Sequence, residues 1–154
     1  CGYQVIQING KDVHDLTELR LLIEVGSLPK LIEKTTPEHL KRLHELNRQR
    51  ENPTKESDVW SSWNRNVEFH LCLIEGTHNE YILDTLSRVL SSCTRAYAQL
   101  YALQKETVVL PNDKTHAHPL ITEAIENHDL ATAQSLLHND ILRMESQLLS
   151  MNLL

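Results

Sequence analysis

The stretch that decides the fold runs from Val59 to Gly76 and reads VWSSWNRNVEFHLCLIEG. Apolar residues fall on almost every side of a helix drawn through it, which is typical of a helix surrounded by other helices. The stretch also carries Asn66 and His70, whose four-residue spacing puts both side chains on one face. Because buried polar groups need partners, we expect this helix to form one wall of a polar site inside the protein.

Outward from this helix, apolar residues recur at helical spacing along most of the chain. Thr36-Pro37 is a helix-start signal, and we expect Gly26 and Pro29 to bend or end the first helix. Only the opening GYQVIQING alternates apolar and polar residues, which predicts one short strand and a turn. The predicted fold is an all-α antiparallel bundle of about six or seven helices.

Composition limits the function classes. The 154 residues suffice for one domain with a sizeable core. A formal charge of −6 argues against direct binding to nucleic-acid phosphates. No apolar stretch reaches the roughly 18–20 residues of a membrane span, and no signal peptide is visible. The cysteines have no C-x-x-C spacing, so we expect buried free thiols and a cytoplasmic protein.

Three of the predicted helices carry side chains of the kind that bind metals. Asn66 and His70 come from the central helix, and His118 opens a later one. The last helix offers His138 and Asp140. A two-residue step on a helix turns the chain by about 200°, so only one of that pair can face the interior.

The order of these segments resembles the ligand-binding domain of the FadR branch of GntR-type bacterial transcription regulators, the FCD family. The resemblance covers essentially the whole chain. A leading GYQV is similar to the last strand of the wing of a winged helix-turn-helix. The matching segments are DVHDLTELRLLIE (12–24), NVEFH (66–70), EGTHNEYI (75–82), HPLITEAIENHD (118–129) and ATAQSLLHNDI (131–141).

This resemblance implies a domain organisation and a function. Residues 1–10 would be the remnant of the wing and linker of an absent DNA-binding domain, and 11–154 would be an effector-binding and dimerisation domain. The implied function is regulatory rather than enzymatic: a homodimer senses a small carboxylate, such as an organic or sugar acid, and couples this to DNA binding through the missing domain. No membrane partner is expected.

The resemblance also implies a metal site with two departures from the family pattern. The usual aspartate falls on Asn66, and His70 and His118 match the first two family histidines. The final histidine position falls on Asp140 rather than on His138. Two imidazoles and one carboxylate remain as firm ligands and leave coordination positions open. An O/N ligand set favours Zn²⁺ first, with Ni²⁺, Mn²⁺ or Fe²⁺ as alternatives.

Three arginines are candidates to hold the effector carboxylate in bidentate fashion. Arg20 falls on the first-helix arginine of the family, and Arg95 and Arg88 lie on the fourth helix. Two other functions stay open. One is a metal-free sensor of a larger apolar effector such as an acyl chain, and the other is a non-haem metal enzyme with two histidines and one carboxylate.

Overall fold

The computed structural model describes residues 7–51, 59–103 and 117–150. The prediction of an all-α fold is confirmed, because every regular element in these ranges is helical. The predicted strand lies largely outside the described residues; residues 7–9 have no regular structure, and the first helix begins at Gly10. The elements are α1 (Gly10–Arg20), a π-helical segment (Leu21–Val25), α2 (Gly26–Lys34), α3 (Pro37–Glu51), α4 (Val59–Glu75), α5 (Glu80–Leu103), α6 (Ala117–Glu126) and α7 (Leu130–Ser150).

The helix starts follow from side chains that accept backbone hydrogen bonds. Asn9 caps α1 in a capping box with Asp12, in which each side chain accepts from the backbone N–H of the other residue. The Asn79 side chain accepts from two N–H groups of α5, and Asp129 accepts from the Thr132 N–H in α7. As the sequence predicted, Pro37 opens α3, where its missing N–H carries no penalty.

The first helical stretch is longer than the sequence predicted. Gly26 and Pro29 do not end it; the helical path continues from Gly10 through the π-helical segment to Lys34. Pro29 lies inside α2 and has no N–H to give to the carbonyl four residues earlier, on Val25. The wider π-helical turn stands immediately before this point, and the Gly26 N–H bonds to the Leu21 carbonyl there. A local change of helix type therefore accommodates residues that were expected to bend or end the helix, and a bend at this point stays a prediction.

A tight connection makes α6 and α7 neighbours. His128 adopts a left-handed conformation with φ of 56°, which is the usual way to reverse the chain after a helix. The Asp129 N–H then bonds to the Ala124 carbonyl and the His128 N–H to the Ile125 carbonyl. This Schellman arrangement places the start of α7 beside the end of α6, so residues from both helices can face the same interior space.

Two main apolar clusters fill the bundle. One joins α2, α3, α4, α6 and α7 around buried residues such as Leu28, Phe69 and Ile125. The other joins α1, α4, α5 and α7, and includes Trp63 stacked on Tyr97 at 4.4 Å between ring centroids. Since α4 contributes to both, it is central, as its all-round apolar pattern predicted. Within the described ranges, no helix combines the length and the apolar character needed to cross a bilayer.

Candidate metal centre

His70 of α4, His118 of α6 and Asp140 of α7 meet in the interior of the bundle. Their potential ligand atoms all lie within 4.8 Å of one another. The His70 and His118 side chains are no more than 1% exposed, and that of Asp140 is 3% exposed. The residues are up to 70 positions apart in the chain. The fold therefore brings together three of the four residues expected to bind a metal.

The spacing within this cluster suits a metal ion. Oδ2 of Asp140 lies 3.3 Å from Nε2 of His70 and 3.4 Å from Nε2 of His118. Atoms bound to one zinc ion at about 2.1 Å in tetrahedral directions lie about 3.4 Å from each other. Among the described residues, His70 Nε2 has no hydrogen-bond partner, although it is fully buried. The donor set therefore fits a small divalent cation.

Aromatic contacts hold the two imidazoles at right angles. His118 lies flat against Phe69, with ring centroids 3.8 Å apart and planes within 8°. The His70 and His118 rings are 5.3 Å apart with an interplanar angle of 89°. His118 also lies in the first turn of α6, and its carbonyl accepts from the Thr122 hydroxyl. Packing thus fixes the direction in which each Nε2 points.

A buried charged pair supports His70 from the other side. Oε2 of Glu24 lies 2.5 Å from Nδ1 of His70, and Oε1 of Glu24 accepts from Nε of Arg20 at 2.7 Å. Glu24 is fully buried, and Arg20 is 2% exposed. Metal-binding histidines commonly donate their second ring N–H to a carboxylate. Glu24 occupies that position here.

The second oxygen of Asp140 also has a partner. Its Oδ1 accepts a hydrogen bond from Nη2 of Arg143 at 2.5 Å, one helical turn further along α7. The Arg143 side chain is 30% exposed, so it extends from the buried carboxylate towards the surface. This leaves Oδ2 of Asp140 facing the two imidazoles.

The charges in the cluster shift its pKa values in opposite directions. Burial raises the pKa of Asp140, but the neighbouring His118 and His70 imidazoles lower it more, and the net pKa is far below its usual range. Burial lowers the pKa of His70, but the Glu24 carboxylate outweighs this, and the net pKa is raised. Burial likewise opposes ionisation of Glu24, yet Arg20 and His70 hold its pKa below the usual value. The cluster is therefore built for carboxylates that stay ionised.

Asn66 lies one helical turn before His70 on α4. It is half-buried, and among the described residues its buried Nδ2 has no hydrogen-bond partner. The oxygen and nitrogen of an amide exchange places when the group is turned by a half rotation. Asn66 can therefore turn either atom towards its interior neighbours, and its ligation of a metal stays a prediction.

The three predicted effector-binding arginines are separated by the fold. Arg20 is buried, and its carboxylate partner Glu24 contacts His70. Arg88 and Arg95 are not brought to the cluster, because both lie on the exposed face of α5. There Arg88 pairs with Asp84 and Arg95 donates to Ser92. Helical periodicity explains this, since the opposite face of α5 carries the buried residues Val89, Cys93 and Ala96.

The family model of the FCD domain matches residues 15–143. The chain belongs to the FCD family. This FCD domain spans the ligand-type residues of the cluster and most of the bundle, and the resemblance to GntR-type regulators inferred from sequence is confirmed. Family membership indicates a regulatory domain rather than an enzyme.

Solved structures share the fold. One is a transcriptional regulator of the GntR family from Pseudomonas syringae pv. tomato, with a TM-score of 0.73 and 20% identity over 93% of this chain. Another is Lar, which controls expression of the agr system of Listeria monocytogenes and mediates virulence, with a TM-score of 0.72 and 12% identity over 95% of this chain. The FCD domain spans 57% of the first of these chains and 67% of the second. Comparison with curated proteins finds no match.

Sequence reasoning missed two groups of the FCD cluster, Glu24 and Arg143. Glu24 follows Arg20 by four residues, so the two were visible as a pair along one helical path, but the contact of Glu24 with His70 depends on how the π-helical segment packs against α4. Arg143 follows Asp140 by three residues, which is a spacing that puts the two on one helix face. That spacing was the available signal for Arg143.

The described part of the domain has a small cavity beside Arg20 and a larger groove on its surface. A cavity of about 10 Å³, roughly the size of one water molecule, is lined by Arg20, Cys93 and Met144 among others. A surface groove of about 510 Å³ lies elsewhere, between the π-helical segment and the start of α5, and none of its lining residues belongs to the cluster.

Proposed function

We propose that this FCD domain senses a small carboxylate at a divalent metal held by His70, His118 and Asp140. The observation that carries the proposal is the convergence of these three buried side chains from α4, α6 and α7 on a common point. Zn²⁺ suits two imidazoles and one carboxylate best, and Ni²⁺, Mn²⁺ or Fe²⁺ are compatible with the same donors. Asn66 would add its amide oxygen as a weak fourth ligand.

Charge explains why the ligand would be an anion. With both imidazoles neutral, the charged side chains that are bonded into the cluster are Arg20 and Arg143, each positive, and Glu24 and Asp140, each negative. They cancel, so a dication would leave the cluster with two uncompensated positive charges. Because an unpaired charge in a low-dielectric interior is unfavourable, the metal would favour an anionic effector at its open coordination positions.

Arg143 is the arginine best placed to hold the second oxygen of that effector. It reaches the Asp140 carboxylate from a half-exposed position on α7. A side-chain rotation would turn its guanidinium from Asp140 to an effector carboxylate, and the planar fork suits a bidentate contact. Arg20 would stay bonded to Glu24 and would contribute its positive charge from the Nδ1 side of His70.

Coupling to DNA follows from the position of the cluster. Its groups come from α1, the π-helical segment, α4, α6 and α7, so an effector bound there would contact several helices at once and could favour one packing of them over another. A ligand shifts an equilibrium between two conformations by its difference in affinity for them. We place the domain in a cytoplasmic homodimer whose DNA contacts are made by a winged helix-turn-helix outside this acidic domain, as two-fold operators require.

Metal analysis of the purified domain tests whether it binds a divalent metal at this cluster. We expect about one equivalent of zinc in the native protein, and its loss from the double variant His70→Ala/His118→Ala. The matched control is His138→Ala, since His138 lies two residues from Asp140 but faces solvent. An equally stable metal-free protein would contradict the proposal and favour the metal-free sensor of an apolar effector.

A thermal-shift screen tests whether a small carboxylate binds at the metal. Succinate, citrate and gluconate are added with and without zinc, because a ligand of the native state raises the melting temperature. We expect a zinc-dependent rise with at least one acid, lost in Arg143→Gln with the metal retained. Arg88→Gln is the control, as its side chain is 80% exposed and pairs with Asp84. A carboxylate response that survives Arg143→Gln would remove Arg143 from the effector site.

A further inference from the structure

The π-helical segment Leu21–Val25 has an inverted pattern of burial. Leu22 is 75% exposed, whereas Glu24, two residues later, is completely buried. Apolar burial alone would favour the opposite arrangement, because burying a carboxylate is unfavourable unless it is paired. π-Helical turns are rare and frequently occur at functional sites. This segment therefore needs an explanation beyond core packing.

The contacts of Glu24 supply one. Its two oxygens are divided between two partners, with Oε1 accepting from Arg20 at 2.7 Å and Oε2 lying 2.5 Å from Nδ1 of His70. An ionised carboxylate only accepts hydrogen bonds, and the buried ion pair with Arg20 favours the ionised form of Glu24. The proton between Glu24 and His70 therefore belongs to Nδ1.

This fixes what His70 can do at its other nitrogen. A neutral imidazole with its proton on Nδ1 has a lone pair on Nε2, and Nε2 is the atom that faces Oδ2 of Asp140 at 3.3 Å. The opposite tautomer would direct an N–H at the metal position and prevent coordination. The side of His70 that contacts Glu24 thus determines whether the other side can bind a metal.

We propose that Glu24 is a positioning residue that holds His70 in the Nδ1–H tautomer and so presents Nε2 to the metal, while Arg20 keeps the Glu24 carboxylate in place. This inference deepens the proposed function and rests on it. In this role Arg20 holds Glu24 and does not itself make the main contact with the effector. It also gives the π-helical segment a role, since this is the segment that carries Glu24 into the bundle.

Replacing Glu24 by glutamine gives a sharp test. The Arg20 N–H needs an acceptor, so the introduced amide turns its oxygen to Arg20 and its NH₂ to His70. An NH₂ donor forces Nδ1 to accept, and the proton moves to Nε2. We expect Glu24→Gln to weaken zinc binding by about 10–100-fold, the usual effect of losing such an outer partner. Glu18→Gln is the matched control, because Glu18 is exposed on the preceding turn and should leave zinc affinity unchanged.

A second variant separates this role from stability. In Arg20→Met/Glu24→Gln the buried arginine is gone, so the amide oxygen is free to turn to Nδ1 and restore the correct tautomer. Zinc affinity should recover towards the native value, although two buried polar contacts have been removed. The double variant also carries no unpaired buried charge from this pair, so it stays informative if Glu24→Gln alone does not fold.

Zinc titration with a competing chelator measures each affinity, and long-range ¹H–¹⁵N NMR of the zinc-loaded proteins identifies the protonated nitrogen of His70. Recovery in the double variant, with Nδ1 protonated in the native protein, supports the inference. Native-like zinc affinity in Glu24→Gln, or a double variant weaker than the single one, overturns it and leaves the metal centre intact. A native protein that binds no zinc overturns the proposed metal centre itself.

Discussion

His118 stacks on Phe69 with ring centroids 3.8 Å apart and planes only 8° from parallel. The two rings belong to different helices, α6 and α4, and the contact sets the plane in which His118 Nε2 points at Asp140. Phe69 itself is 1% exposed, so its position is set by the surrounding core. An apolar residue thus orients a polar one.

Phe69→Leu should loosen that orientation. We expect the free energy of unfolding to fall by about 1–3 kcal/mol, from lost volume and the lost aromatic pair, and zinc affinity to fall by about tenfold. Chemical denaturation and zinc titration measure the two effects. Leu86→Ala is the control, since Leu86 belongs to a separate apolar cluster and should lower stability without changing zinc affinity. A similar loss of zinc affinity in both variants would mean that stability alone governs binding.

Two glycines should respond oppositely to the same substitution. A Cβ added at Gly76 would lie 2.4 Å from Cε1 of His39, and that buried ring is held by the Cys72 carbonyl and the Thr35 hydroxyl. Gly76→Ala should therefore destabilise the domain by about 1–3 kcal/mol. At Gly26 no atom lies within 4 Å of the added Cβ, and the residue is helical, so Gly26→Ala should be neutral or stabilise by up to about 1 kcal/mol. Thermal unfolding of the two variants checks the sign, and a stable Gly76→Ala would show that His39 can move aside.

The cap of α5 offers a third test. Oδ1 of Asn79 accepts from the N–H groups of Tyr81 and Ile82 at 3.1 and 3.2 Å. Asn79→Ala removes the acceptor and should lower the free energy of unfolding by about 1 kcal/mol. Asn79→Asp keeps an acceptor and adds a charge that favours a helix N-terminus, so it should retain stability. Equal losses in both variants, measured by urea denaturation, would show that the cap contributes little.

The sequence predicted the positions of the helices better than the contacts between residues of different helices. Periodicity and capping residues gave the helices, because those signals are local: Asn79, Pro37 and Asp129 stand where the helices begin. His70 was found because a polar residue on a helix that is apolar all round is conspicuous, and His118 because it opens a later helix and matches the family pattern. Glu24 was missed as a partner of His70, since its role depends on how two helices 46 positions apart pack.

Arg88 and Arg95 also show that side-chain chemistry alone does not predict which residues reach the cluster. Arg88 and Arg95 were chosen for their chemistry, but which face of α5 points inward is decided by the apolar stripe through Val89, Cys93 and Ala96. Both arginines lie off that stripe and are exposed. The π-helical turn before Pro29 was also beyond local rules, because a proline in a helical pattern normally predicts an end or a kink.

The raised pKa of His70 predicts a pH dependence that reverses when zinc is added. In metal-free protein, the protonated imidazole is stabilised mainly by Glu24, and Arg20 opposes it. Because the folded pKa lies above the unfolded value of about 6.5, this stabilisation is complete below that pH and is lost as pH rises through the folded pKa. Zinc requires a deprotonated imidazole, so the stabilisation added by zinc should instead grow with pH.

Denaturation between pH 6 and pH 9, with chelator and with zinc, measures both trends. We expect His70→Gln to flatten the metal-free dependence and to abolish the zinc-dependent rise, because the group that exchanges a proton for the metal is gone. His138→Gln should keep both trends, as His138 is exposed and directed away from the cluster. If zinc stabilised the native protein equally at both ends of this range, proton release from His70 would not accompany metal binding, and a ligand set without His70 would be required.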